Sequence, residues 1–253
     1  NLEKHYQPRP GVGWDDVGAV MAHDGQCAAA GITTVLDSLC MHGERNGLDR
    51  AAAMPRMIAA IDYAMAEGLL RADHLLHLRC EVTNPALIEA AQPYLAHPRL
   101  HLLSLMDHRP GQRQLRLKPS GDDPEAPDEL AELCSFQRRQ MAQFASTHGV
   151  PLAGHDDATP DHIAEAVTLG CTMAEFPVTE DAAQAARDAG MTIAMGAPNL
   201  VRGGSHSGNL SAGAAARAGL LDILASDYIP LSMIRAAFLL AEPDYGWPLP
   251  RAI

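Results

Sequence analysis

Acids and imidazoles in this chain recur at one kind of place, in or directly after short apolar runs. Asp37 lies in ITTVLDSL, Arg79 and Glu81 end LLHLRCE, and Asp107 and His108 follow LHLLSLM. His155, Asp156 and Asp157 follow PLAG, Glu175 closes CTMAE, Asn199 comes shortly after TIAM, and Asp227 follows ILAS. Carboxylate and imidazole together are the donor set of Zn, Mn, Fe and similar ions. The pattern therefore points to one or two divalent ions, with water as the nucleophile. No Gly-x-Ser-x-Gly leads from an apolar run into a helix and no Gly-x-Gly-x-x-Gly follows one, so a serine nucleophile elbow and a dinucleotide site are both disfavoured.

Each candidate has a plainer reading beside the chemical one. His155 is a metal ligand or the cap of the next helix, and Asp227 is a ligand or general base, or a cap toward Pro230. Glu81 shares a strand face with His77 and Arg79, and is either a ligand or half of a buried Arg79–Glu81 ion pair. Glu175 binds the ion directly or orients His155. Asp107, His108, Asp156 and Arg79 are expected in supporting positions.

A second chemistry lies in the segment 196–209, GAPNLVRGGSHSGN, which reads as a functional loop too rich in Gly, Ser and Asn for a helix. Approachable backbone amides, small hydroxyls and a guanidinium are what a phosphate group needs. Asn199, Arg202, Gly203, Gly204, Ser205, His206, Ser207 and Asn209 are the candidate phosphate contacts, a flexible linker being the alternative. Arg109, Arg113 and Arg116 form a second basic cluster, from which Arg113 is a further phosphate candidate.

The elements that must position these groups are strands joined by helices. Seven apolar runs of strand length are expected: Ile32–Leu39, Leu75–Val82, Leu100–Met106, Pro151–His155, Cys171–Phe176, Thr192–Met195 and Ile223–Ser226. Helical stretches between them are Ala51–Glu67, Asn84–Tyr94, Glu129–Thr147, Pro160–Leu169, Glu180–Ala189 and Ala212–Ala218. The alternation predicts an α/β chain of parallel strands, a (β/α)8 barrel (TIM-like) whose first strand precedes Asn1, with a doubly wound open sheet as the competing form. Residues 1–253 read as one barrel domain, incomplete at both ends and with a break near residues 115–125.

Composition narrows the partners. A formal net charge of -12 excludes a general nucleic-acid surface. No apolar run approaches the roughly 18 residues of a membrane span, and no secretory signal opens the chain. Five cysteines without CxxC spacing fit buried free thiols and a cytoplasmic location. The expected partner is a phosphorylated small molecule, with a homo-oligomer allowed.

The order of these residues resembles the amidohydrolase superfamily, whose ligands come from a first-strand His-x-His pair, a bridging Lys or Glu, two later His and a final Asp. On that resemblance His155 takes the fifth-strand position and Asp227 the last-strand position. Glu175 stands where a deacetylase branch has His. Lys4 and Lys118 lie on no expected strand end, which leaves Glu81 rather than a carbamylated lysine as bridge. The strings NLEKH, MDHRPGQRQ, HDDAT, AEFP and GAPNLVRGGSHSGN are similar to the ribose-triphosphate diphosphatases of phosphonate catabolism. That resemblance implies hydrolysis of a ribose 5-triphosphate to the 5-phosphate with release of diphosphate. It also implies a metal motif just before Asn1 and a small β-sandwich built from both termini. The alternatives are hydrolysis of a C–N bond, as in a deacetylase or cyclic amidase, and a barrel that only binds a phosphorylated ligand.

Overall fold

A computed structural model of the chain describes residues 2–45, 47–116, 128–205 and 208–253. Seven strands form one parallel sheet: β1 (Thr34–Cys40), β2 (Asp73–Glu81), β3 (Leu100–Met106), β4 (Leu152–His155), β5 (Met173–Glu175), β6 (Thr192–Gly196) and β7 (Ile223–Ala225). Their order across the sheet is their order in the sequence. Every crossover therefore steps the same way, as in a barrel, whereas a doubly wound sheet reverses at a switch point. The result is a curled α/β half-barrel with β1 and β7 as its edges.

The connecting helices start where local chemistry dictates. Thr159 accepts from the His162 amide ahead of Pro160–Thr168, and Thr179 accepts from the Ala182 amide ahead of Glu180–Asp188. Each cap satisfies an amide that the helix itself leaves unpaired. Small residues let these helices sit close on the sheet: Ala182, Ala183 and Ala186 are fully buried. Leu76, Leu78, Leu103 and Ile193 come up from the strands to meet the helices in the core. All five cysteines are buried, and none is in a disulfide among the described residues.

Two of the segments that depart from the expected pattern bear on the site. Ala197–Val201 is a short helix, not the start of a loop: Gly196 precedes it in an extended conformation and Pro198 sits in its first turn, where a missing N–H costs nothing. Asp16–Ala29, not anticipated, is a 14-residue helix that buries His23 and Asp24. No helix among the described residues is long and apolar enough to cross a membrane. His206, Ser207 and residues 117–127, which include most of the expected break, lie outside the described residues.

Candidate active site

All seven strands contribute to one cavity of about 890 Å³. His155, Glu175 and Asp227, from the ends of β4, β5 and β7, line it together with His77, Arg79 and Asp156. Asn199, Arg202, Gly204, Ser205 and Asn209 line it too. The imidazole, the acids and the proposed phosphate segment are thus gathered into a single space.

Hydrogen bonds fix the His155 ring. Its Nδ1 lies 3.1 Å from Asp156 Oδ2, and its Nε2 lies 2.9 Å from Arg79 Nη2. Arg79 has only N–H groups to offer, so Nε2 accepts and Nδ1 carries the proton toward Asp156. Phe176 meets the ring edge-on at 5.5 Å. Beside it, Glu175 Oε2 stands 3.8 Å from His155 Nε2 and 4.0 Å from His77 Nε2, buried and without a hydrogen-bond partner. Burial pushes the Glu175 carboxyl up, but its electropositive surroundings of His155, His77 and Arg79 outweigh it and hold the group below its ordinary value. Burial pulls Arg79 down, and Cys40, Glu175, Asp156 and Asp227 more than reverse this.

His77 lies across the strands as a rung, Nδ1 at 2.9 Å from Ser38 Oγ and Nε2 at 2.9 Å from Ser104 Oγ. Burial drives it down to about 4, so it is a neutral ring at neutral pH. Ser38 and Ser104 were not singled out from the sequence; only strand pairing brings them to His77.

Several expected residues sit elsewhere. The Glu81 carboxylate does not line the cavity: it accepts from His108 Nδ1, from the His108 amide at 3.3 Å and from Thr83 Oγ1 at 3.0 Å. These donors already satisfy it, and the Arg79–Glu81 pair is not formed. Burial raises the Glu81 carboxyl and the His108 hydrogen bond brings it below its ordinary value, while the same bond raises His108. The expected quartet of Glu81, His155, Glu175 and Asp227 is therefore not one set. Among the described residues no three His, Cys, Asp or Glu side chains converge to hold a metal ion.

Arg113 is likewise not a cavity residue. It is 4% exposed and faces Asp157 and Glu165. Asp107 binds Arg109 and Arg138, whose charges overcome burial and bring its carboxyl down to about 2. The second basic cluster is thus internal structure, with each guanidinium that the structure describes matched to an acid. Gly203 closes the turn after Ala197–Val201 with φ 78°, a conformation open to glycine, and Asn199 Oδ1 accepts from the Ala212 amide.

Lys4, set aside on sequence grounds only as a bridging ligand, does not line the cavity but touches a residue that does. Lys4 Nζ donates to the carbonyl of Tyr228 at 3.2 Å and lies over its ring, beside Asp227. No periodicity or motif signals this, because the two residues are 224 positions apart.

No protein-family profile matches the chain. It is 41% identical over 271 residues to the alpha-D-ribose 1-methylphosphonate 5-triphosphate diphosphatase of Escherichia coli (strain K12), covering 100% of this chain and 72% of that protein. Among solved structures, a zinc-bound amidohydrolase of B. ambifaria superposes with a TM-score of 0.57 at 14% identity, over 98% of this chain and 67% of the other. An organophosphorus hydrolase from Deinococcus radiodurans has a TM-score of 0.46 at 16% identity, over 82% and 62%. The first of these likenesses speaks to the barrel fold, and the sequence identity to the lineage. With that identity along its whole length, the chain belongs to the alpha-D-ribose 1-methylphosphonate 5-triphosphate diphosphatase family.

Proposed function

We propose that this chain hydrolyses alpha-D-ribose 1-methylphosphonate 5-triphosphate to the 5-phosphate and diphosphate. One observation carries the reading: His155, Glu175 and Asp227 line the same cavity as Arg202, Ser205 and Asn209. Acid and imidazole to activate water thus lie within one enclosure with a guanidinium and small polar groups that suit phosphate. The activity of the E. coli relative supports the same substrate.

A divalent ion fits this wall by the chemistry of its donors. His155 Nε2 and Glu175 Oε2 stand 3.8 Å apart, and Oε2 is a buried acceptor with no donor. Two donors sharing one ion through bonds of about 2.0–2.2 Å stand roughly 3–3.5 Å apart, so a small movement would suffice once Arg79 releases its hydrogen bond to Nε2. His155 and Glu175 would hold the ion, with Asp227 in the same cavity; Zn, Mn and Fe suit this donor set. When bound, such an ion acidifies water and neutralises charge on phosphoryl oxygens.

The chain's own groups do the rest. Attack of water forms a new bond to the α-phosphorus and breaks its bond to the bridging oxygen, so that diphosphate leaves. Asp227 accepts the proton given up by the water. Arg79 and Arg202 offset charge on the phosphoryl oxygens, since phosphoryl transfer depends mainly on positioning and neutralisation.

Phosphorus NMR of the purified chain, after elemental analysis and with Zn, Mn or Fe supplied, tests this. Diphosphate and a phosphate monoester are expected as products, with ¹⁸O from labelled water in the monoester. Asp227→Ala is expected to lower turnover about 10³-fold or more, in the range seen when a positioned acid–base group is lost. Orthophosphate as the only product, label confined to diphosphate, or near wild-type turnover in Asp227→Ala would each overturn the reading.

A further inference from the structure

Two cations meet on one aromatic ring at the edge of the cavity. Lys4 Nζ is 3.2 Å from the Tyr228 carbonyl and 5.2 Å from the centroid of its ring, and Arg202 Nη1 is 3.5 Å from the Tyr228 hydroxyl. Tyr228 and Arg202 both line the cavity, as do Leu2 and Glu3 just before Lys4. Lys4 and Arg202 are both exposed.

Among the described residues Arg217 and Arg251 also lie on aromatic rings without a carboxylate in an ion pair, but each is alone on its ring, whereas Lys4 and Arg202 meet on one. Arg50 is paired with Glu3, Arg56 with Asp16, Arg71 with Asp24, Arg99 with Asp62 and Arg187 with Asp222. Among the described residues, neither Lys4 nor Arg202 faces a carboxylate in this way. In a chain of net charge -12, with 31 acids against 19 basic residues, acidic partners are plentiful. Two like charges beside the same ring repel, and an anion placed between them removes that cost. The lysine supplies a compact charge with three donors and the arginine a planar fork, a combination suited to the several oxygens of linked phosphates.

The cavity carries charge of both signs, with Arg79 among the acids of the strand ends and Glu3 beside Lys4. Asp156, Glu175 and Asp227 outnumber Arg79 at the strand ends, while Lys4 and Arg202 meet at Tyr228. Tyr228 follows Asp227, about 3.8 Å away between Cα atoms. A phosphorus held for attack at Asp227 would therefore place the next phosphates of the chain at the Tyr228 rim.

We propose that Lys4 and Arg202, joined through Tyr228, form the seat of the departing diphosphate, the β and γ phosphates of the substrate. This rests on the diphosphatase reading for the identity of the ligand, though not for the existence of an anion seat.

The test is calorimetric titration of the full chain with inorganic diphosphate and, separately, orthophosphate, alongside steady-state kinetics on the triphosphate. Lys4→Met and Arg202→Met are each expected to weaken diphosphate binding about tenfold and the double variant about a hundredfold, with orthophosphate affected much less. Lys4→Arg should restore most of the affinity, and the loss in turnover should fall mainly on KM. Thermal midpoints separate a seat from a structural tie, since a merely structural Lys4 would lower the midpoint and shift both anions alike. Diphosphate affinity within twofold of wild type in both single variants overturns the seat, even if the triphosphate is cleaved. Diphosphate bound through Lys4 and Arg202, with no cleavage of the triphosphate, leaves the seat standing and removes the diphosphatase reading.

Discussion

Asp37→Asn should destabilise the fold substantially, and more at pH 6 than at pH 8.5. Asp37 lies on β1 with its side chain fully buried, 2.7 Å from His74 Nδ1 on β2 and 3.0 Å from His23 Nε2 on the Asp16–Ala29 helix. Asp24 stands 3.5 Å from His74 Nε2 and accepts from the amides of Arg71 and Ala72. Burial pushes the Asp37 carboxyl up, and the hydrogen bonds of His23 and His74 bring it below its ordinary value. Burial pulls His74 down, and Asp37 and Asp24 reverse this to a net rise. His23 stays below its ordinary value because burial outweighs the Asp37 bond. Removing one partner of a buried ionic pair costs about 3–5 kcal/mol; taking about 3, and 2–4 °C per kcal/mol for a chain this long, the midpoint should fall by about 6–12 °C.

The pH dependence of that loss has a definite sign. Stability from the raised His74 is present below its unfolded value of about 6.5 and is lost as pH rises through the higher folded value. Stability from the lowered Asp37 is present above about 3.9 and is lost only in acid, so between pH 5 and 9 the change follows His74. His23, buried neutral, opposes folding increasingly below about 6.5, and Asn at 37 makes protonating it harder still. Scanning calorimetry of both proteins at pH 6 and 8.5 measures the difference. A midpoint change under about 2 °C, or one that grows with pH, would refute the assignment of this network.

Gly154 sits in β4 immediately before His155, where a Cβ would collide with Asp157 Oδ2 and press Ala166 Cβ at 3.4 Å. Gly154→Ala should cost about 1–3 kcal/mol in a urea melt, the usual penalty for overpacking, and an unchanged midpoint would mean that the Asp157 side chain simply yields. Glu81→Gln removes the carboxylate that raises His108, so NMR titration should find the His108 value lower in the variant, and an unmoved value would show that another group sets it.

The strand ends were legible because the cavity requires apolar runs that stop at polar residues, and β3 was expected over the same residues it occupies. The fate of each polar group was less legible, because it depends on what lies opposite. Glu81 and Glu175 read alike in sequence, yet His108 claims Glu81 while Glu175 Oε2 is left facing two imidazoles. Arg113 and Arg202 both read as loop arginines suited to phosphate, but Glu165, 52 residues away, draws Arg113 inward. The Asp16–Ala29 helix escaped because its buried face carries His23 and Asp24, which break the apolar period. That face makes sense only beside Asp37 and His74, on two other elements.

Of the four non-glycine residues with positive φ among the described residues, three fall beside the chemistry and the fourth, Arg113, does not. Asp156, Phe176 and Asp227 adopt positive φ of 57°, 59° and 48°, one directly after His155, one directly after Glu175 and one two residues beyond β7. Left-handed backbone costs a non-glycine residue about 1–2 kcal/mol, less for Asp than for a bulky side chain such as Phe. Glycine would remove that cost at any of the three. The ladder keeps the kinks in place: the Asp156 amide donates to Glu175 O and the Phe176 amide to Ala194 O, each at 2.9 Å, so pairing continues through the residue that turns. At position 156 the side chain holds His155 Nδ1, and at position 176 it meets the His155 ring edge-on. Glycine would relieve strain at either position but lose the group that orients the imidazole. These two strained residues are accounted for by the His155 they hold, and strain maintained for a side chain's orientation is characteristic of a working site rather than of a fold optimised for stability.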